Sequence, residues 1–133
     1  SLNEKWQQDG TKTFLGLHSE GYPNLFIVSG PQGGGGSFNF TNAIEEHGDY
    51  IIWMLNTVKA QGATVVDVDA DVESAYAVHC GEADTQTRPL RDCITYYNGH
   101  GEAAPGSLAY YGGGQWHKWR VQAQNTLAPY RVE

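Results

Sequence analysis

The chain has 133 residues, a length that suits a single domain with a modest hydrophobic core. Apolar residues make up 40% of it and charged residues 17%, as in ordinary globular proteins, and no stretch has the length and apolarity of a membrane span. The formal net charge of −7 at pH 7, without any basic cluster, argues against a nucleic-acid-binding protein.

The N-terminal sequence SLNEKWQQDG has no apolar segment, so it is not a signal peptide, and we expect a cytoplasmic protein. In that compartment Cys80 and Cys93 are expected to be reduced thiols. Cys80 follows a histidine, but no second pair at ligand spacing accompanies it. The alternating aspartates that begin at Asp67 lack the glycine and glutamate of a calcium loop. We therefore predict no metal site.

Two short strands are predicted in the first quarter of the chain. Residues 11–16 (TKTFLG) show a suggestive alternation of polar and apolar side chains. Residues 25–29 (LFIVS) are almost continuously apolar and lie between a Pro-Asn pair and a Gly-Pro pair. This second pattern predicts a strand that is buried on both faces, as in a sheet covered by helices.

The clearest helix is predicted at residues 41–61. Its apolar positions repeat at steps of four, three, four and three, and they are Ile44, Gly48, Ile51, Leu55 and Val58. Asn42 and Glu45 have the spacing of a capping box, and Gly62 follows the last turn as a helix-ending glycine does. Gly48 within the stripe indicates either a closely packed neighbour or a tolerated helix glycine.

Fewer secondary-structure elements are predicted in the second half of the chain. Residues 64–68 (TVVDV) suit a short strand, and DADVESAYAVH after it suits a helix that Asp69 or Asp71 caps. From Gly81 the sequence is polar and weakly periodic over a length that indicates a functional or a disordered segment. A strand near residues 108–111 and a helix at about 115–124 complete the prediction.

A glycine-rich loop, GPQGGGGSFNFT at residues 30–41, links the predicted buried strand to the predicted helix. Each glycine costs roughly 0.5–1 kcal/mol relative to alanine, so four in succession indicate a close backbone approach or a flexible surface connection. A strand, glycine loop and helix together present backbone N–H groups to an electron-rich ligand. Neither G-x-G-x-x-G nor a P-loop motif fits the loop, so we do not expect it to be a primary phosphate site.

The stretches KWQQDGTKTFLGLHSEGYPNLFIVSGPQ and NAIEEHGDYI resemble the C-terminal part of the flavin-dependent Baeyer–Villiger monooxygenases. That family has a tryptophan-and-glycine approach, a short strand, PNLF, a Gly-Pro pair, a variable loop and a helix with an acidic-His-x-Asp pattern, in this order. Further on, TYYNGHG and YYGGGQWHKWR resemble the family's mobile loop and its closing glycine-rich strand–helix unit.

The resemblance implies a mixed α/β fold, in which short strands and two or three helices form the C-terminal fragment of a dinucleotide-binding flavoprotein. Residues 1–68 would be the closing strand, glycine loop and helix of the FAD domain, and residues 69–133 a C-terminal extension. The family's FAD fingerprint, NADP-binding motif, signature sequence and active-site arginine lie upstream of such a segment. We therefore expect a fragment of a longer enzyme that is inactive when isolated.

The cofactors that the resemblance implies are FAD and NADPH. It places the backbone amides of Phe40 and Thr41 at the flavin edge, with Gln32 nearby, and Tyr96 in the loop that folds over NADP. Many relatives have tryptophan at the position of Tyr96, and Tyr97 is an alternative. The substrate-pocket loop is implied to comprise Gly34, Gly35, Gly36 and Ser37. No catalytic acid, base or nucleophile is implied in this segment.

Three functions follow as hypotheses. The first is conversion of ketones into esters or lactones by a full-length monooxygenase that uses dioxygen, with a small-residue loop that favours bulky ketones. The second is a related flavin monooxygenase that oxidises nitrogen or sulfur. The third, from another class, is a free-standing binding module without catalysis. As partners we expect a ketone substrate, no nucleic acid, no membrane, and self-association of the isolated fragment.

Overall fold

The computed structural model describes residues 1–33, 39–83 and 113–133. Its elements in chain order are helix α1 (Leu2–Asp9), helix α2 (Phe40–Ala60), strand β1 (Val66–Val68), helix α3 (Ala70–Ala83), helix α4 (Gly113–Thr126) and strand β2 (Tyr130–Val132). The mixed α/β class is confirmed, and the described residues form four helices, one of which has no counterpart among the predicted elements. That additional helix is α1, which Ser1 and Glu4 start with a capping box.

Strands β1 and β2 form an antiparallel pair, in which Val66 lies opposite Val132 and Val68 opposite Tyr130. Asn24 completes the edge of β1, because its N–H donates to the Val66 carbonyl at 2.9 Å and its Oδ1 accepts from the Val66 N–H at 3.0 Å. The sheet joins the first half of the chain to its end. The predicted domain boundary at residue 68 stays a prediction.

The two strands predicted at residues 11–16 and 25–29 are wrong. Phe14 makes only an isolated bridge with His18, across a tight turn with positive φ at Leu15. Asn24, just before residues 25–29, and Ser29, the last of them, also have positive φ (62° and 56°). Left-handed residues bend the chain away from the extended conformation, so this apolar run packs as an irregular segment without a strand partner among the described residues.

Helix α2 is confirmed, with bounds one residue earlier than predicted, but the predicted capping box is wrong. The cap is Asn39, whose Oδ1 accepts a hydrogen bond from the Thr41 N–H at 2.9 Å. Asn42 and Glu45 lie inside the helix and are exposed. Asn39, three positions before the predicted cap Asn42, accepts a hydrogen bond from one of the free N–H groups of the first turn. The helix therefore starts after Asn39.

The apolar face predicted for α2 is right at Val58, which is buried, and in part at Ile51, which is half-buried against the core, but it is wrong elsewhere. The side chains that α2 buries are Ala43, His47, Tyr50, Met54 and Val58. Ile44 and Leu55 are exposed. The buried face is displaced by one position because His47 and Tyr50 make hydrogen bonds and ring contacts that aliphatic side chains do not make. At Gly48 an added Cβ meets nothing within 4 Å, so this is a tolerated helix glycine.

The core is mostly aromatic and connects helices α3 and α4 to the turn at Phe14. The Phe14 ring lies edge-to-face with the rings of Tyr76 (5.4 Å between centroids), Tyr130 (5.8 Å) and Trp119 (6.3 Å). Such pairs contribute about 0.5–1.5 kcal/mol each beyond the burial of their area. Helices α3 and α4 were both predicted, and Asp69 caps α3 through its Oδ1.

An ion pair holds α1 against α3. Lys5 Nζ lies 2.9 Å from Glu73 Oε2 and donates to the Glu20 carbonyl at 2.7 Å, while the other oxygen of Glu73 accepts from the Glu20 N–H at 2.9 Å. None of the helices in the described ranges is long and apolar enough to cross a membrane. The strand predicted near residues 108–111 and the polar segment before it lie outside the described residues.

Candidate functional site

Three glycines form a backbone crossing beside the start of the glycine-rich loop. The Gly30 N–H donates to the Gly16 carbonyl and the Gly33 N–H donates to the Gly30 carbonyl, each at 3.1 Å. A Cβ at Gly30 would lie 2.5 Å from the Gly16 oxygen, and a Cβ at Gly33 would lie 2.8 Å from the Gly30 oxygen. Gly16 has φ +70°, and its Cβ would overlap Gly33 Cα. Hence position 33, the first of the glycine run, has no room for a side chain, because the backbone of Gly16 and Gly30 packs against it.

His47 of α2 ties this crossing to the helix. Its Nδ1 accepts a hydrogen bond from the Ser29 N–H at 3.0 Å, and its Nε2 lies 2.9 Å from the Gly33 carbonyl oxygen. Since Nδ1 is an acceptor, the ring proton is on Nε2, which donates to Gly33. Burial lowers the pKa of His47, while the bond to Gly33 acts in the opposite direction. His47 is therefore an uncharged side chain that hydrogen-bonds to the backbone at both Ser29 and Gly33.

Trp116 of α4 supports the His47 ring from one face. The two ring centroids are 5.1 Å apart, and the Trp116 Nε1–H donates to the Leu15 carbonyl at 2.9 Å. The guanidinium of Arg120 lies 5.7 Å from the Trp116 ring and is paired with Glu46, the residue before His47. Through these contacts α4 packs against both α2 and the turn at Gly16.

Gln32, predicted to contact a cofactor, is buried in the crossing. Its Oε1 accepts from the N–H of Thr13 at 2.9 Å, and its Nε2 donates to the Thr11 carbonyl at 2.8 Å. Its own carbonyl accepts from the Tyr76 hydroxyl at 2.7 Å. The side-chain amide is thus committed to the protein, and a cofactor contact through Gln32 requires its backbone. The contact stays a prediction.

Of the two backbone amides predicted to face an electron-rich ligand at the start of α2, one is available to donate a hydrogen bond. The Phe40 N–H has no hydrogen-bond partner within the described ranges, and Phe40 is exposed. The Thr41 N–H is already bonded to the Asn39 side chain, which would have to move aside. The first turn carries no acidic residue, so nothing opposes the partial positive charge of the helix N-terminus.

The other predicted site residues lie outside the described residues. They are Gly34, Gly35, Gly36, Ser37 and Tyr96, together with the alternative Tyr97. Sequence reasoning missed the parts played by His47, Trp116 and Gly16. A signal was present for the first of these, since His47 is the histidine of the acidic-His-x-Asp pattern.

The fold is that of a segment of known monooxygenases. A solved structure of oxidized steroid monooxygenase bound to NADP superposes with a TM-score of 0.80 and 20% sequence identity, covering 98% of this chain and 25% of that protein. A structure of OTEMO in complex with FAD and NADP gives a TM-score of 0.79 at 21% identity, covering 99% of this chain and 24% of OTEMO. At such identities the likeness establishes the fold alone.

The sequence comparison is more specific. No protein-family model matches the chain. A Baeyer–Villiger monooxygenase of Streptomyces coelicolor is 31% identical over 134 aligned positions, which cover 95% of this chain and 22% of that enzyme. The chain matches a segment of a Baeyer–Villiger monooxygenase, which confirms the resemblance found in the sequence. It spans about a fifth of the length of the curated relatives that it matches.

Proposed function

We propose that this chain is the C-terminal segment of an FAD- and NADPH-dependent monooxygenase that converts ketones into esters or lactones with dioxygen. The observation that carries the proposal is the 31% identity to a Baeyer–Villiger monooxygenase over 95% of the chain. In this proposal residues 1–68 close the flavin domain and residues 69–133 form an extension from it.

The part that we assign to the described residues is to bind and orient FAD at its flavin edge. The Phe40 N–H at the start of α2 donates to the electron-rich edge of the ring, where the helix dipole favours negative charge. Thr41 contributes a second N–H if the Asn39 side chain releases it. FAD, when bound, supplies the redox chemistry that activates dioxygen. We assign no acid, base or nucleophile to this segment.

Substrate and NADPH are assigned to the remaining predicted positions. Gly34, Gly35, Gly36 and Ser37 form the wall of the ketone pocket, and Tyr96 contacts NADPH. A wall of glycines and one serine leaves room for bulky or large-ring ketones. The motifs for FAD phosphates and for NADPH are absent from this sequence, so we propose that the isolated chain does not catalyse the reaction.

The test is expression of the longer protein that contains this segment. We expect it to be yellow, to oxidise NADPH in the presence of ketones from a panel of linear, cyclic and steroid substrates, and to yield esters or lactones by mass spectrometry. N-oxides or sulfoxides as the main products would favour the nitrogen- or sulfur-oxidising alternative. A colourless protein that oxidises no NADPH would contradict the proposal and favour the binding module.

A further inference from the structure

The start of α2, which we assign to the flavin edge, and the segment around Gln32, which the sequence analysis places nearby, have no direct bond to each other among the described residues, yet one side chain joins them. Gln32 and Gly33 belong to the glycine crossing, while Phe40 and Thr41 begin α2. His47 lies two helical turns after Phe40, on the buried face of α2, and its ring reaches back to Gly33. The path between the two segments through His47 is therefore short and rigid.

We propose that His47 is a positioning residue for the flavin site, which fixes the glycine crossing relative to the start of α2 and does so as the Nε2–H tautomer. The proposal rests on the function proposed above. His47 touches neither substrate nor cofactor in this assignment. It acts through the backbone of Ser29 and Gly33, whose bonds to the two ring nitrogens hold the loop from both sides.

The geometry favours a histidine over other side chains that fill the same space. Phenylalanine would keep a ring in contact with Trp116 but would leave the Ser29 N–H and the Gly33 carbonyl without their partners. Glutamine has one acceptor and one donor at the end of its side chain, as neutral histidine does, so it can restore both bonds in part. His47→Phe and His47→Gln thus separate hydrogen bonding from packing. The exposed His117 of α4 provides matched controls, His117→Phe and His117→Gln.

The first experiment uses this chain and needs no cofactor. Long-range proton–nitrogen NMR is expected to show a protonated Nε2 and an unprotonated Nδ1 in His47. Hydrogen exchange at the Ser29 amide is expected to be roughly tenfold faster in His47→Phe and to recover partly in His47→Gln, with the His117 variants unchanged. Exchange at the Met54 amide, inside α2, reports whether each variant is folded.

Two results on this chain would overturn the proposal. One is a ring proton on Nδ1 in the unsubstituted protein, which can be measured even if His47→Phe fails to fold. The other is unchanged Ser29 exchange in a folded His47→Phe variant.

The second experiment uses the longer flavoprotein and reads the flavin itself. His47→Phe is expected to shift the visible absorption band and the reduction potential of bound FAD, and to raise KM for ketone by severalfold, with His47→Gln closer to the original. A normal flavin spectrum in a His47→Phe protein that shows fast Ser29 exchange would overturn the positioning role. If the unsubstituted longer protein binds no FAD, the proposed function itself fails, whereas the NMR result on this chain still reports the bonds of His47.

Discussion

The hydroxyl groups of Tyr50 and Tyr130 lie 2.6 Å apart in the core, although the two residues are 80 positions apart in the sequence. This hydrogen bond joins α2 to β2 at a place where burial raises the pKa of both tyrosines. His18 lies beside the pair, with its ring centroid 5.1 Å from that of Tyr130. Its Nε2 has no hydrogen-bond partner in the described part of the chain. The cluster is therefore polar, buried and uncharged.

The first prediction concerns pH. Burial lowers the pKa of His18 from 6.5 to about 3. Above pH 6.5 the imidazole is neutral in both the folded and the unfolded chain, so stability does not depend on it. Between pH 6.5 and about 3 the unfolded chain binds a proton that the folded chain does not, so the free energy of unfolding falls with falling pH.

At pH 5 this loss is roughly 2 kcal/mol, with His47 acting in the same direction because its pKa is lowered too. Denaturant unfolding of this chain at pH 7.5 and pH 5 measures it. In His18→Phe the difference between the two pH values should be clearly smaller, whereas the exposed His117→Gln should leave it unchanged. An unaltered pH dependence in His18→Phe would show that His18 titrates normally in the folded chain.

The second prediction is a double-mutant cycle on the tyrosine pair. Tyr50→Phe and Tyr130→Phe each leave one buried hydroxyl without its partner, which costs about 1–3 kcal/mol. Replacing both removes the buried polar groups together, so the double variant should lose less stability than the sum of the single losses. Urea unfolding of the four proteins gives the coupling energy, which we expect to be about 1 kcal/mol. Strictly additive losses would mean that the 2.6 Å bond contributes nothing to stability.

The third prediction contrasts two glycines that a sequence pattern treats alike. Gly16→Ala places a Cβ against the backbone of Gly33 at a positive φ, and we expect a loss of more than about 3 kcal/mol or a failure to fold. Gly48→Ala adds a methyl group to open space inside α2, and we expect a gain of about 0.5–1 kcal/mol. Thermal unfolding compares them directly. Equal effects at the two sites would contradict the backbone crossing.

The elements that the sequence predicted well are those with local signals. Helix α2 has a long apolar periodicity and a glycine after its end, and both bounds were predicted within one residue. The parts that could not be predicted depend on contacts between distant positions. His47 and Tyr50 are buried because their partners lie at residues 29, 33 and 130, and no periodicity reports such partners.

The same reason explains the errors in strands and turns. Asn24, Ser29 and Gln32 have positive φ although none is a glycine. The Pro-Asn and Gly-Pro pairs mark where the chain turns, but they do not show that the apolar run between them is too bent to form a strand. Strand β2 has only three residues and was not predicted, because it exists by pairing with β1. Within the candidate site, the family motifs located the helix start and the glycine loop, while the commitment of the Gln32 side chain to Thr11 and Thr13 could be seen only in three dimensions.

The fourth prediction is that the isolated chain does not retain FAD. In the function proposed above, the hydrogen-bond donors that the described residues offer the flavin edge are the amides of Phe40 and Thr41, and Asn39 already occupies the second. Two hydrogen bonds at roughly 0.5–1.5 kcal/mol each fall short of the about 4 kcal/mol that millimolar binding needs. The purified chain should be colourless and should show no heat of binding with FAD in calorimetry. A yellow preparation or a micromolar dissociation constant would refute this.

The fifth prediction is that the isolated chain self-associates through the surface face of α2. That face carries four large apolar side chains at helical spacing, with exposed fractions of 64%, 39%, 59% and 53% for Phe40, Ile44, Ile52 and Leu55. Contiguous exposed apolar side chains of this kind favour association, and in the isolated chain the available partner is a second copy. We therefore expect sedimentation at increasing concentration to show dimers.

The double variant Ile52→Gln, Leu55→Gln should shift this equilibrium towards the monomer by about fivefold or more without loss of stability. Removing two exposed apolar side chains from a shared contact weakens it by roughly 1–3 kcal/mol, while the fold does not bury either residue. A control is Val78→Gln, which changes a similarly exposed apolar residue on α3 instead of α2. If the control variant dissociates the dimer and the α2 variant does not, the contact lies elsewhere and the α2 face is not what holds two copies together.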